Sequence, residues 1–339
     1  MSDSRGGRDR LRGLGEEGLL RRIRAAASQQ HPALIRGIGD DAAVFAGPTR
    51  TLVTTDLLAE GVHFRRDRTL PRLLGRKAIA VNLSDIAAMA GTPLFAFLCL
   101  AAPPDFPVAE MDEIVAGIIE RCDGAGVILA GGDITQAQSL ILSVTVVGSA
   151  MVPGPVYRSG ARPDDGIYVT GELGGSALGL HRLLTMDRQL TAESLAADPL
   201  AGAIRRQLDP PARIEAGLAL AGRARAMMDL SDGLLTDLPR LLIESGGLGA
   251  VIETAALPLD PDLAGQPPDL ALSCAAAGGE DYELLCVGST EAMPAFAAGL
   301  RLTRIGTVRP EPGIQLVGPA GEPVDLPPPR FEHFRPGAE

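Results

Sequence analysis

Along this chain of 339 residues, apolar runs repeatedly give way to small residues and then to a carboxylate. The pattern stands in RGIGDDAAVF with Asp40 and Asp41, in TLVTTD with Asp56, in GVILAGGD with Asp133, and in ARAMMDLSDG with Asp229 and Asp232. GGEDYEL places Glu280 and Asp281 ahead of a further apolar run. Carboxylates set against apolar segments are costly unless a cation or hydrogen-bond donors stabilise them. Turn chemistry alone would scatter its acids. Acids that keep returning at strand ends imply one shared site built from distant parts of the chain.

The length suffices for two domains, each with a core of its own. With 46% hydrophobic and 22% charged residues the chain is globular. No apolar run reaches the roughly 20 residues that span a bilayer, and MSDSRGGRDRLRG is too polar for a signal peptide, so a cytoplasmic protein is expected. Cys99, Cys122, Cys274 and Cys286 lie far apart in apolar surroundings without CxxC spacing and read as reduced core residues. A net charge of -11, no Trp and three Tyr argue against nucleic acid and suit divalent cations.

Residues 1–14 carry Arg5, Arg8, Arg10 and Arg12 among Gly and Ser and read as a flexible extension. The spacing predicts a helix from Glu16 to Ala27, with Leu19, Leu20 and Ile23 on one face. TLVTTD alternates as a strand ending in Thr54, Thr55 and Asp56, and the following EGVHF puts His63 on a loop. Residues 72–91 are too apolar for a surface helix, so Asn82, Ser84 and Asp85 lie in a buried one. A strand over TPLFAFLCLAAP, a helix over 108–124 and strands ending at Asp133 and near Ala150 follow. The Pro- and Gly-rich MVPGPVYRSGARPDDG marks a boundary near Pro153, giving an N-terminal domain over 15–152 and a C-terminal domain over 153–339.

In the second half, IYVTGELGGSALGL reads as strand, glycine turn at Gly174 and Gly175, and helix, which is either a backbone anion site or a tight turn. A helix is expected over 212–226, then Asp229, Ser231 and Asp232, a helix, and the strand AVIE. The stretch from Pro310 to Pro329 is rich in loop residues and closes on PPPRFEHF. Arg158, in the linker, is able to grip a phosphate with two parallel hydrogen bonds.

Asp40, Asp41, Asp56, Asp85, Asp133, Asp229 and Asp232, with Thr54 and Thr55, offer hard oxygen ligands and no clustered Cys or His. Such ligands select Mg²⁺, Mn²⁺ or Ca²⁺, and Mg²⁺ normally shares its coordination with substrate phosphates. The inventory points to nucleoside triphosphate chemistry. Yet the chain has no GxxxxGK[ST], HRD or DFG, so neither P-loop nor protein-kinase phosphate handling is available to it.

GIGDDAAV, TTD followed by EGVHF, AVNLSDIAAMAG, GGD, YRSGARPDD, YVTG, DLSDGL and GGEDYEL occur together in an order and spacing that resembles the thiamine-monophosphate kinase family, within the aminoimidazole ribonucleotide synthetase-like superfamily. The resemblance runs from about Gly15 to Phe334. It implies an α/β (α+β) protein of two domains, an N-terminal mixed-sheet domain that pairs in a homodimer and a C-terminal α/β domain. It also implies ATP as co-substrate, several Mg²⁺ ions, and phosphorylation of thiamine monophosphate to thiamine diphosphate. By the same resemblance Asp41, Thr54, Thr55, Asp56, Asp85, Asp133, Asp229 and Asp232 are metal ligands, while Gly132, Asp133, Arg158 and Ser231 contact ATP. His63, Glu280 and Phe331 are implied to contact the substrate, and Asp40 is left undecided beside Asp41. Gly18, where the family often has an aromatic, is a departure outside the chemistry.

A phosphate monoester is largely a dianion at neutral pH and needs no general base to attack. Bringing it against the γ-phosphate of ATP is the obstacle, and a carboxylate-rich, histidine-poor site answers it with metal ions and alignment. Related chemistries fit less well. A selenophosphate synthetase would need a nucleophilic Cys in an early glycine-rich loop, and a hydrogenase-maturation relative a C-terminal Cys, whereas the first Cys here is Cys99 and the chain ends RPGAE. Aminoimidazole ribonucleotide synthetase and a non-catalytic nucleotide or magnesium sensor remain as alternatives at this level.

Overall fold

The computed structural model of the chain describes residues 16–27, 32, 34–36, 44–45, 47, 50–150 and 154–325. Asp40, Asp41, Pro153, Phe331 and the Arg-rich extension lie outside them. The chain divides into two compact units, the first made of Met1–Ile86, Thr92–Ser149 and Asp187–Ser194 and the second of Ala87–Gly91, Ala150–Met186 and Leu195–Glu339.

The first unit begins with α1 (Glu16–Ala26), which buries Leu19 and Ile23 one turn apart. The short strands β1 (Leu34–Arg36) and β2 (Val44–Phe45) pair antiparallel. They are followed by β3 (Thr51–Ala59), α2 (Pro71–Ala88), β4 (Gly91–Ala102), α3 (Val108–Ala125), β5 (Ile128–Gln136) and β6 (Ile141–Ala150). The larger sheet runs β3-β6-β4-β5, with β3 and β6 antiparallel and β4 and β5 parallel. Ala78, Ile79, Val81, Leu83, Ile86 and Ala87 leave α2 almost without an exposed face, as its composition required.

Along β3, Thr51, Val53, Thr55 and Leu57 are exposed while the residues between them are partly covered. One sheet face is therefore open and apolar in part, with Val53 65% exposed and Leu57 48%. Cys99 on β4 is exposed as well, which corrects its assignment to the core. FLCL is apolar on both sides of the pleat, and only one side of this sheet is covered by helices. The other three cysteines are buried and all four are free thiols.

The second unit contains β7 (Gly166–Thr170), α4 (Gly175–Leu184), α5 (Ala192–Ala197, entered from the first unit), α6 (Ala201–Leu208) and α7 (Ile214–Leu220). Next come β8 (Ala226–Asp229), α8 (Leu234–Glu244), β9 (Gly249–Glu253), α9 (Pro268–Ala277) and β10 (Leu284–Gly288). The chain closes with β11 (Phe296–Ala297), β12 (Leu300–Arg309), β13 (Gly313–Val317) and β14 (Pro323–Val324). The sheet order is β14-β13-β9-β12-β7-β10-β8, with β11 beside β12; only β9 and β13 pair parallel. Strands β7 and β10, and β8 at the end of the sheet, are buried throughout because both faces are covered. Ile167, Val169 and Met228 pack with Leu234, Leu238 and Leu241 of α8, while Tyr168 and Met227 pack with Ala216 and Leu220 of α7.

Three expectations change. Asp56 and Asp133 do not end their strands, because pairing continues for three residues beyond each, to Ala59 opposite Ile141 and to Gln136 opposite Ala102. The helix expected over 212–226 is confined to Ile214–Leu220, since the chain turns at Gly222 and Ala226 already belongs to β8. The loop-rich stretch after Pro310 contains β13 and β14.

Candidate active site

In the first unit the period-two geometry of β3 sends Thr54 and Asp56 to the helix-covered side and Thr55 to the open side. Thr54 Oγ1 donates to Asp85 Oδ2 of α2 at 2.5 Å, joining a strand to a helix that the sequence separates by 31 positions. Burial, and then the negative charge of Asp85, push the Asp56 carboxyl up to about 6. Two acids and a hydroxyl thus form a hard-oxygen set in which the charge of Asp85 disfavours ionisation of Asp56. Thr55 belongs to a different environment: its Oγ1 donates to the Val144 carbonyl and accepts from Thr145 Oγ1, both at 3.1 Å.

His63 sits in the turn after β3, where the Ala59 amide donates to its Nδ1 at 3.1 Å. An amide N–H only donates, so Nδ1 holds a lone pair and the ring proton resides on Nε2. Gly132 and Asp133 lie on β5, at the far edge of the sheet from Asp56. Three inter-strand spacings put these edges about 14 Å apart. Gly132 is required there by packing: its φ is 153°, and a Cβ would lie 1.8 Å from the Leu98 carbonyl oxygen.

The second unit brings two predicted segments side by side. The Leu230 amide donates to the Glu283 carbonyl, the Tyr282 amide to the Leu230 carbonyl and the Glu280 amide to the Ser231 carbonyl, at 2.8–2.9 Å. Asp229, Ser231 and Asp232 therefore stand beside Glu280 although some 50 residues separate them in sequence. Asp229 is buried at the end of β8. Asp232 pairs with Arg240 at 2.5 Å, and Arg240 also reaches Asp237 at 2.9 Å. Asp237, invisible as a site residue in the sequence, accepts from the Asp232 and Gly233 amides and fixes this turn. Burial pushes its carboxyl up to about 6, with the charge of Asp232 adding to the effect against those amide bonds.

The glycine turn read as an anion site carries an anion of the chain's own. Asp281 accepts from the Gly174 amide at 2.6 Å and the Ser176 amide at 3.1 Å, at the start of α4. Gly174 is left-handed at φ 86°, and a Cβ would meet Ala275 and Cys274 of α9 at 2.7–2.8 Å. Burial pushes Asp281 up to about 7, against the two amides, with Glu283 raising it further and Arg206 opposing. On either side of Asp281, Glu280 and Tyr282 both hold left-handed backbone, at φ 67° and 51°. Glu283 is fully buried and held by Thr170, Arg213 and Arg206. Arg206, Arg213 and Gln207 have no local motif to reveal them; the only sequence signal is that the three acids in GGEDYEL, Asp281 among them, need partners. Arg158 is exposed, and its carbonyl accepts from Ser245 Oγ.

Among the described residues no group of three or more His, Cys, Asp or Glu is placed to hold an ion. Pairs are nevertheless what the chemistry requires, since Mg²⁺ is bound through one or two carboxylates and completes its shell with water and phosphate oxygens. Asp56 with Asp85 and Thr54 fits that demand. No helix among the described residues is long and apolar enough to cross a membrane.

Comparison with known proteins gives concordant matches over nearly the whole chain. Residues 39–150 match the N-terminal domain, and 162–318 the C-terminal domain, of the AIR synthase related proteins. The thiamine-monophosphate kinase of Aquifex aeolicus is 35% identical over 321 residues, covering 93% of this chain and 98% of its own. The crystal structure of thiamine-monophosphate kinase from Stenotrophomonas maltophilia superposes with a TM-score of 0.79 at 32% identity, over 92% of this chain and 98% of that one. The structure of AaThiL complexed with AMPPCP and TMP gives a TM-score of 0.72 at 34% identity, over 94% and 97%.

Proposed function

Because the chain belongs to the thiamine-monophosphate kinase family of AIR synthase related proteins, we propose that it transfers the γ-phosphate of ATP to thiamine monophosphate. The products are ADP and thiamine diphosphate, in the last step of thiamine diphosphate synthesis in the cytoplasm. The observation that carries the reading is the Asp56–Asp85 pair joined by Thr54, in which burial and a neighbouring charge push Asp56 up to about 6, an arrangement a cation would relieve.

Thr54, Asp56 and Asp85, together with Asp41, hold magnesium in this reading, and Asp229 and Asp232 hold it on the second unit. The family also implies ligand roles for Asp133 and Thr55, but the Thr55 hydroxyl lies on the open face, bound to Val144 and Thr145, and is set apart from the Asp56–Asp85 pair. Several ions, when bound, neutralise the negative charge of the two phosphates that must meet. Gly132, Asp133, Arg158 and Ser231 grip the nucleotide; His63, Glu280 and Phe331 receive the thiamine monophosphate. The acceptor oxygen attacks the γ-phosphorus in line, the bond to the β-phosphate bridging oxygen breaks, and ADP leaves with that electron pair. No residue serves as general base, since the acceptor phosphate is already ionised. His63 supports this: its Nδ1 accepts from the Ala59 amide, so the face it offers is an Nε2–H donor, suited to orienting a phosphate.

We further propose a homodimer joined through the open face of the first sheet, where Val53 and Leu57 are exposed. The experiment that tests the function supplies ATP, Mg²⁺ and thiamine monophosphate and follows ADP and thiamine diphosphate. Acid quenching with labelled ATP then tests direct transfer: label bound covalently to the protein before the acceptor is added would overturn it. Tight nucleotide binding without turnover would favour a sensor.

A further inference from the structure

Glu280 is held from below by a relay that no motif announces. Gln207, on the last turn of α6, is buried and donates from Nε2 to Glu280 Oε2 at 2.5 Å. Ser176, fully buried at the start of α4, bonds through Oγ to Gln207 Oε1. The direction of the relay is fixed by chemistry: an ionised carboxylate only accepts, so the amide NH₂ of Gln207 must face Glu280 and its oxygen must take the Ser176 proton. The Ser176 amide, in turn, donates to Asp281.

The backbone is fixed just as firmly. Glu280 is left-handed, its amide is bound to Ser231, and the next residue is anchored on the amides of Gly174 and Ser176. A strained residue held at so many points has its side chain aimed by its surroundings. Asp281 is held by those two amides, and Arg206 reaches Glu172, Asp260 and Glu283. Gln207 is thus a neutral donor that orients the Glu280 carboxylate.

We propose that Gln207 is a positioning residue for substrate specificity, presenting the Glu280 carboxylate to the cationic or N–H-bearing heterocycle of the substrate. The inference rests on the reading of Glu280 as a thiamine monophosphate contact. Gln207 is buried and acts through Glu280, so its loss is expected in the KM for thiamine monophosphate and not in the KM for ATP.

The test compares Gln207→Glu, Gln207→Met and Glu280→Gln by steady-state kinetics, varying each substrate separately, with melting temperatures alongside. Loss of a hydrogen bond to a charged group is expected to raise the KM for thiamine monophosphate by about tenfold in Gln207→Met, with kcat and the KM for ATP nearly unchanged. Measured against the unmodified protein at the same pH, Gln207→Glu is expected to show the same defect at about pH 8 and a smaller one at about pH 5.5, where the new carboxyl regains a proton to donate. A merely structural role would give no such rescue. Should Gln207→Glu fail to fold, Gln207→Met carries the decision. A raised KM in Glu280→Gln with unchanged Gln207 variants would overturn the inference and leave the site reading intact. Unchanged KM in Glu280→Gln, or no turnover by the unmodified protein, would overturn both.

Discussion

Thr54 Oγ1 donates to Asp85 Oδ2 at 2.5 Å, binding the edge strand β3 to the apolar helix α2 at the point where Asp56 also lies. In the proposed reading, a bound cation would relieve the repulsion between Asp56 and Asp85. Asp85→Asn keeps an acceptor for Thr54 and removes one negative charge. Activity is therefore expected to fall by at least about 100-fold, beyond the effect of losing a mere outer-shell partner. The melting temperature in EDTA should hold or rise, because the Asp56 carboxylate loses its repelling neighbour. A marked drop in metal-free melting temperature would instead assign Asp85 a purely structural task.

The same electrostatics predict an unusual pH profile. Asp56 and Asp237 are raised to about 6 and Asp281 to about 7, so each binds its proton more tightly folded than unfolded. Such groups add stability below their unfolded value, and that contribution is lost as pH rises through 6 to 7. Asp198 works the other way: despite its burial, Arg182 and the Leu200 amide hold it low, and its contribution is lost only in strong acid. Metal-free protein should accordingly melt at its highest temperature near about pH 5 and at lower temperatures toward pH 8. Added Mg²⁺ should stabilise more at pH 8 than at pH 5, since Asp56 ligates only when ionised. Scanning calorimetry with EDTA or Mg²⁺ decides this, and a metal-free melting temperature that climbs from pH 5 to 8 would contradict it.

Much of this arrangement was legible in the chain, and the failures share a cause. Apolar runs ending in acids announced a carboxylate site, and the nearly continuous apolar helix over 72–91 announced that Asp85 needs a partner. What local pattern does not contain is which acid meets which element. Asp281 fills the start of α4 from more than 100 positions away, so GELGGS read alone looks like a vacancy for a ligand. At Asp56 the small polar residues stop and suggest a strand end, whereas pairing with β6 carries the strand on. The exposure of Cys99 is not legible for a related reason: FLCL tells that a strand is apolar and not which face is covered. Strand β12 went unread altogether, its alternation broken by Arg301, Arg304 and Arg309.

Gly132 separates packing from nucleotide contact. Its Cβ-free approach to Leu98 holds β5 against β4, so Gly132→Ala must displace backbone rather than a flexible side chain. A cost of roughly 3 kcal/mol is expected, lowering the melting temperature by about 6–12 °C. Gly131→Ala is the control, as its Cβ would meet only the Phe97 ring, at 3.3 Å. Equal melting temperatures for the two variants would remove the packing explanation and leave the nucleotide as the reason for glycine at 132.

Cys99 reports on the open sheet face. Cys122, Cys274 and Cys286 are buried, and burial pushes the Cys122 thiol up to about 12 and Cys286 higher still, so neither forms thiolate near neutral pH. In a lone chain a thiol reagent should consume one equivalent quickly, at Cys99. If a second copy covers this face, as proposed, that equivalent is protected and reacts slowly at concentrations where light scattering reports a dimer. Val53→Glu places a charge on the most exposed apolar residue of β3, where burial against a partner would leave it unpaired. It is expected to give a monomer in which Cys99 reacts at once. Rapid labelling of Cys99 in a proven dimer would move the interface to another surface of the protein.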